Sequence, residues 1–312
     1  MELLQIMNSA RVSRRMVRWL VGGVLANLIL AGGSHARELT SESRVDWQVD
    51  YVTARDRARQ QQTLLFIQFV EPELGDVALR WRSELDADAA VAAKLRNLVC
   101  LHLSTSATAP ISGKETVLLE HGAFREMRGR SGVAIIDMRE LSGPNYHRVV
   151  SVLPGDGAGS ARAQPFPRRD DLAVLLDLPD GSLTQRTLIY AVRTHPDRPQ
   201  STAGEWHPVL VEESQRHAQY QAEIGVQGHH AWEQRFHRIN ARLPENAVAQ
   251  EVCAESWSGQ GLIAAARECV HSWRQSSGHW GAVSSRHRFF GYDMQRGNNG
   301  VWYATGIFGR HR

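Results

Sequence analysis

The sequence predicts two folded modules, an α/β unit followed by a unit in which helices precede a terminal pair of strands. Three observations carry this reading. Between residues 47 and 153, short apolar runs alternate with charged stretches of helical character, the order of an α/β sheet. Residues 154–171 then hold three prolines and three glycines with little apolar content, a linker composition. The chain ends in two aromatic-rich runs around Asn299-Gly300, a strong hairpin signal. A length of 312 residues suits two domains of ordinary size.

In chain order, residues 1–36 follow the secretory pattern. Arg11, Arg14, Arg15 and Arg18 precede an apolar run over 20–30, and Ser34-His35-Ala36 places small residues at the cleavage positions. The run is shorter than the roughly 20 residues that span a bilayer, so cleavage near Ala36 is expected, with an uncleaved anchor as the alternative. No later stretch is long and apolar enough to cross a membrane. The expected location is secreted, periplasmic or otherwise in the cell envelope. The formal charge of +3 belongs to this leader: without it, 32 basic and 32 acidic side chains remain. A neutral mature chain argues against nucleic-acid binding, which needs a basic patch.

Residues 51–62 read as a helix, and 63–70 as a central strand covered on both faces because the run is continuously apolar. Residues 76–96 are helical in pattern, with further strands over 98–104, 132–137 and 147–153. This order over residues 45–154 resembles the thioredoxin-like fold. Where that family carries its Cys-x-x-Cys, this chain has Glu71-Pro72-Glu73-Leu74-Gly75-Asp76, and the family's opposing proline is replaced by Ser131-Gly132-Val133. No Cys-x-x-Cys occurs anywhere, so the module at 37–153 is expected to be redox-inactive, a scaffold or a binding surface. Cys100, inside a strand run, reads as an inert buried thiol.

Residues 154–178 are assigned to the linker and 179–312 to the second module. Ten of the fourteen histidines and six of the nine tryptophans lie from His195 onward. Helices are expected over 183–193, with Ser182 as N-cap, over 209–225 and over 264–273. Residues 289–294 and 301–308 read as strands. The order helix, Gly228-His229, Glu251-Val252-Cys253-Ala254, helix with Trp273, Ser277-Gly278-His279 and two aromatic strands resembles the CAP superfamily. That group, also called SCP-like, contains the cysteine-rich secretory, antigen 5 and pathogenesis-related proteins. The resemblance implies an α+β fold, an α-β-α sandwich, and a cleft lined by two histidines and two glutamates.

Carried over singly, His229 matches the first cleft histidine, Glu251 the first glutamate and His279 the second histidine. Ser276 stands where the family has its second glutamate. With Cys253 and Cys269 on adjacent family elements, the resemblance also implies a disulfide between them. Two imidazoles and a carboxylate suit zinc or another divalent ion, with water or Ser276 completing the set. The same residues equally suit a purely structural His–Glu pair. Glu251 and Glu255, four apart on a strand, share one face and could form an acid/base pair; one reaching the cleft and the other the surface is the simpler reading. The function expected is that of an exported, non-catalytic binding protein whose ligand is a lipid, glycan or protein. The alternative is a metal-dependent hydrolase using His229, Glu251 and His279.

Overall fold

The apolar run at the centre of the first module folds as β2 (Leu64–Val70), and strand alternation buries both of its faces. Leu65, Ile67 and Phe69 pack with Ala54 and Ala58 of α1 (Tyr51–Gln61). Phe66 and Val70 pack on the other side with Trp81 and Leu85 of α2 (Gly75–Ala87) and Leu95 of α3 (Ala89–Arg96). The helical stretch expected over 76–96 is broken at Asp88. Its backbone is extended and its carboxylate accepts from the amides of Ala90 and Val91, capping α3.

This computed structural model describes residues 44–111, 113–156 and 164–311; the leader read over 1–36 lies outside them. The described residues belong to one unit with a mixed α/β architecture. The first sheet has the order β1-β3-β2-β6-β7, with β1 at Trp47–Gln48, β3 at Val99–Ser104, β6 at Gly132–Asp137 and β7 at Val149–Pro154. β1 and β2 run parallel to β3, whereas β6 is antiparallel to β2 and β7. A small hairpin of β4 (Thr108–Ile111) and β5 (Lys114–Val117) stands apart from it.

At the positions where a thioredoxin-like chain would hold its dithiol and proline, Glu71 and Ser131 bond to each other. The Glu71 amide donates to Ser131 Oγ at 2.8 Å, and the Ser131 amide donates to Glu71 Oε1 at 3.3 Å. Cys100 is fully buried and its thiol reaches the Leu95 carbonyl; burial pushes its pKa far up.

The stretch read as linker contains α4 (Arg169–Leu175), which corrects that assignment. Phe166, Leu172, Leu175 and Leu178 are buried and belong to a core continuous from Phe66 to Trp273 and Tyr292. The buried guanidinium of Arg186, on α5 (Leu183–Arg193), fastens this stretch. It donates to Ser151 Oγ at 2.7 Å and to the carbonyls of Leu175, Leu178 and Pro179. α5 begins as expected at Ser182, with Gln185 completing a capping box.

The second sheet has the order β8-β10-β11-β9. β8 is Glu205–Trp206, β9 Ala247–Glu255, β10 Phe289–Arg296 and β11 Trp302–His311. The expected hairpin pairs Arg296 with Trp302 across a turn in which Gly300 has a φ of +77°. On one face, Val252, Ala254, Tyr292 and Phe308 pack against α5 and α8 (Leu262–Gln275). On the other, Ala247, Ala249, Phe289 and Ile307 pack with Leu210 of α6 (Pro208–Ile224) and Ile239 of α7 (Trp232–Asn240). α6 lies so close that a Cβ on Gly291 would fall 2.3 Å from the Leu210 backbone.

The disulfide expected between Cys253 and Cys269 is absent; both cysteines are free and buried. Strand parity is the reason. Cys253 shares the face of Ala249 and Glu251, away from α8, while Cys269 sits in the core on the opposite face with Val252 and Ala254.

Candidate functional site

Two side chains of α6 set the position of His229. Gly225 ends the helix in the left-handed conformation, with a φ of +69°, and the chain turns back along it. The Gly228 amide then donates to Gln221 Oε1 at 3.0 Å, and the Gly228 carbonyl accepts from His217 Nε2 at 2.8 Å. Gln221 is itself held by Thr305 Oγ1 on β11 at 2.9 Å. Both backbone groups preceding His229 are thus fixed by buried side chains.

The imidazole of His229 is fixed in turn by Glu251, which β9 aims toward α6 and α7. His229 Nδ1 donates to Glu251 Oε1 at 2.9 Å. Arg235 of α7 grips the same carboxylate in bidentate fashion: Nη2 donates to Oε1 at 2.7 Å and Nη1 donates to Oε2. Arg235 also donates from Nε to the His230 carbonyl and lies over the Trp232 ring. The Glu251 side chain is 1% exposed and that of Arg235 9%, so this ion pair is desolvated. Burial pushes the Glu251 pKa upward, but the hydrogen bonds from Arg235 and His229 outweigh it and hold the carboxyl below its ordinary range.

On the far side of the ring, His229 Nε2 faces His279 Nε2 at 3.3 Å. α9 (Ser277–Ser284) presents His279 in its first turn. Because Nδ1 of His229 gives its hydrogen to Glu251, Nε2 is the ring nitrogen left to face His279. The His279 pKa is lowered by burial and by the neighbouring His229. The His229 side chain remains 42% exposed, so the histidine pair opens to solvent while the carboxylate behind it does not.

The expected ligand set is therefore only partly assembled. His229 and His279 converge, and a divalent ion between their Nε2 atoms fits the donor chemistry of imidazole. Glu251 does not fit as a third ligand, since both its oxygens are engaged; it orients His229 from behind, as carboxylates do for ligating histidines. Ser276 lies at the junction of α8 and α9, and its hydrogen bonds are backbone ones with Trp273 and Trp280. Glu255 shares the parity of Glu251 but is exposed at the end of β9, so the two do not form an acid/base pair.

His217 and Arg235 are the members of the site that sequence reasoning missed. His217 Nε2 is 3.9 Å from Glu251 Oε1, and Cys253 Sγ is 3.8 Å from His229 Nδ1. His217, Glu251 and Cys253 offer ligand atoms within 4.8 Å of one another, yet they do not fit a cation. His217 is committed to Gly228, Arg235 already neutralises Glu251, and burial with the nearby Glu251 charge keeps Cys253 a thiol.

No family model matches the chain, and no curated protein matches it. Among solved structures it is similar to an outer surface protein from Borrelia burgdorferi, with 17% identity over 35% of this chain and 78% of that one. The TM-score is 0.29, a likeness too slight to transfer fold or function. Among the described residues, no helix is long and apolar enough to cross a membrane.

Proposed function

We propose that this chain is an exported, non-catalytic binding protein. In this reading a redox-inactive thioredoxin-like module is fused to a CAP-type module, and the His229–His279 cleft receives a lipid, glycan or protein ligand. The two imidazoles meet that ligand directly or through a divalent ion such as zinc. One observation carries the reading: Glu251 is locked by Arg235 and His229, while the two Nε2 atoms face each other at the open side. His229 and His279 would hold such an ion, which supplies a Lewis-acidic point for an oxygen of the ligand. Glu251 would keep His229 in the tautomer that leaves Nε2 free, and Arg235 would keep Glu251 ionised.

The rival hydrolase needs a carboxylate free to act as ligand or base near the histidines, and Glu251 is not free. Native mass spectrometry of the exported, purified protein, set against its denatured mass, tests the proposal. The expected result is a retained ion or organic ligand that is lost in His279→Ala, with no turnover of ester, glycoside or peptide substrates. Chelator-sensitive hydrolysis that disappears in Glu251→Gln would overturn it.

A further inference from the structure

A cavity of about 690 Å³ lies between β7, α4 and the first turn of α8, away from the histidine pair. That size suits a small organic ligand. Arg128, Arg130, Arg168 and Arg267 line it, against Glu126, Asp156 and Asp171. The three acids are occupied. Glu126 Oε2 accepts the Leu262 amide at 3.1 Å, Asp156 Oδ2 accepts the Gln164 amide at 3.3 Å, and Asp171 faces the buried Tyr190 hydroxyl together with Arg267.

Arg128 and Arg130 have no acidic partner among the described residues. Arg128 is in the left-handed conformation, with a φ of +55°, and its guanidinium rests on the backbone of Gly261. A Cβ built on Gly261 would fall 1.9 Å from Arg128 Nη2. This exposed cation therefore lies beside the start of a 14-residue helix whose first amide is already capped by Glu126. The amides of Ile263 and Ala264, also on the cavity wall, have no acceptor among the described residues. Leu153, Phe166 and Leu262 supply an apolar side.

We propose that this cavity is a second binding site, taking a small organic anion whose phosphate or carboxylate head is held by Arg128, Arg130 and the Ile263 and Ala264 amides. Both head groups accept the bidentate fork of arginine, and the body of the ligand lies along the apolar side. The site is independent of the histidine pair.

Titration calorimetry on the full mature chain tests it with three probes: inorganic phosphate, a hexose 6-phosphate and a hexuronate. Binding of the phosphorylated probes alone identifies a phosphate head, and binding of the hexuronate alone a carboxylate head. Arg128→Gln and Arg130→Gln should each weaken the bound probe by about tenfold or more. Gly261→Ala keeps every charge but displaces the Arg128 guanidinium, so it should weaken binding as Arg128→Gln does. Arg59→Gln, on the exposed face of α1, should leave it unchanged. A wild-type protein that binds none of the three probes would overturn the proposal, as would equal affinities in Arg59→Gln, Arg128→Gln and Arg130→Gln.

Discussion

Replacing Arg235 by methionine exposes the energetics of the site most sharply. The substitution leaves the Glu251 side chain, 1% exposed, with its hydrogen bond to His229 and its proximity to His217 as compensation. Removing one member of a buried pair costs about 3–5 kcal/mol, because the other charge is left desolvated. For a chain of this size that lowers Tm by roughly 10 °C. The pH dependence carries the sign. In the wild type the Glu251 pKa lies below its ordinary value near 4.5, so its contribution is complete above that value and lost as pH falls through the folded one. In Arg235→Met burial dominates, the pKa rises, and the carboxylate costs stability as pH increases. Urea melts between pH 4 and pH 7 should therefore show the deficit widening with pH. The double variant Arg235→Met/Glu251→Gln should recover most of the loss, since no buried charge remains. A single variant within about 1 kcal/mol of wild type at pH 7, or a deficit flat in pH, would refute the coupling.

Other consequences are as specific. Asp293 is wholly buried, and burial pushes its pKa up to about 6 against hydrogen bonds from Thr184, the Met294 amide and Gln295. The folded state thus holds a proton that the unfolded chain has lost between about pH 3.8 and 6. Its contribution falls as pH rises through that window, by roughly 3 kcal/mol, and Asp293→Asn should remove this slope from urea melts. Identical slopes in both proteins would count against it. Titration of the denatured protein without reductant should find Cys100, Cys253 and Cys269 all as thiols; a two-dalton mass deficit would contradict the strand parity that separates Cys253 from Cys269. Glu251→Gln should weaken zinc binding by about 10–100-fold through loss of orientation at His229, measured by competition with a chromogenic chelator. Unchanged affinity would remove Glu251 from that role.

Local signals made much of the fold legible. The run at 63–70, apolar but for Thr63 and Gln68, specified a strand buried on both faces, Ser182 marked a helix start, and Asn299-Gly300 marked the hairpin. What escaped was set by tertiary context. Asp88 interrupts a helical pattern that apolar spacing alone carries through, because its carboxylate competes for the amides of the next turn. α4 was hidden by flanking prolines, although Leu172, Leu175 and Leu178 repeat at helical spacing. In the site, His229 and His279 come together although 50 residues separate them. Arg235 could not be found from spacing, since its bond to Glu251 joins α7 to β9. The disulfide was a different kind of error. Placing Glu251 toward the cleft already places Cys253 there, two residues on, and turns it away from the helix that carries Cys269.

The central claim is that His229 and His279 form an open binding centre with Glu251 held behind it. Calorimetric titration of Zn²⁺ into the purified protein and into His279→Ala at pH 7.5 tests this most directly. The expected result is one ion per chain in the wild type and none in the variant. Zinc uptake that is unchanged in His279→Ala, or no uptake by the wild type, would contradict it.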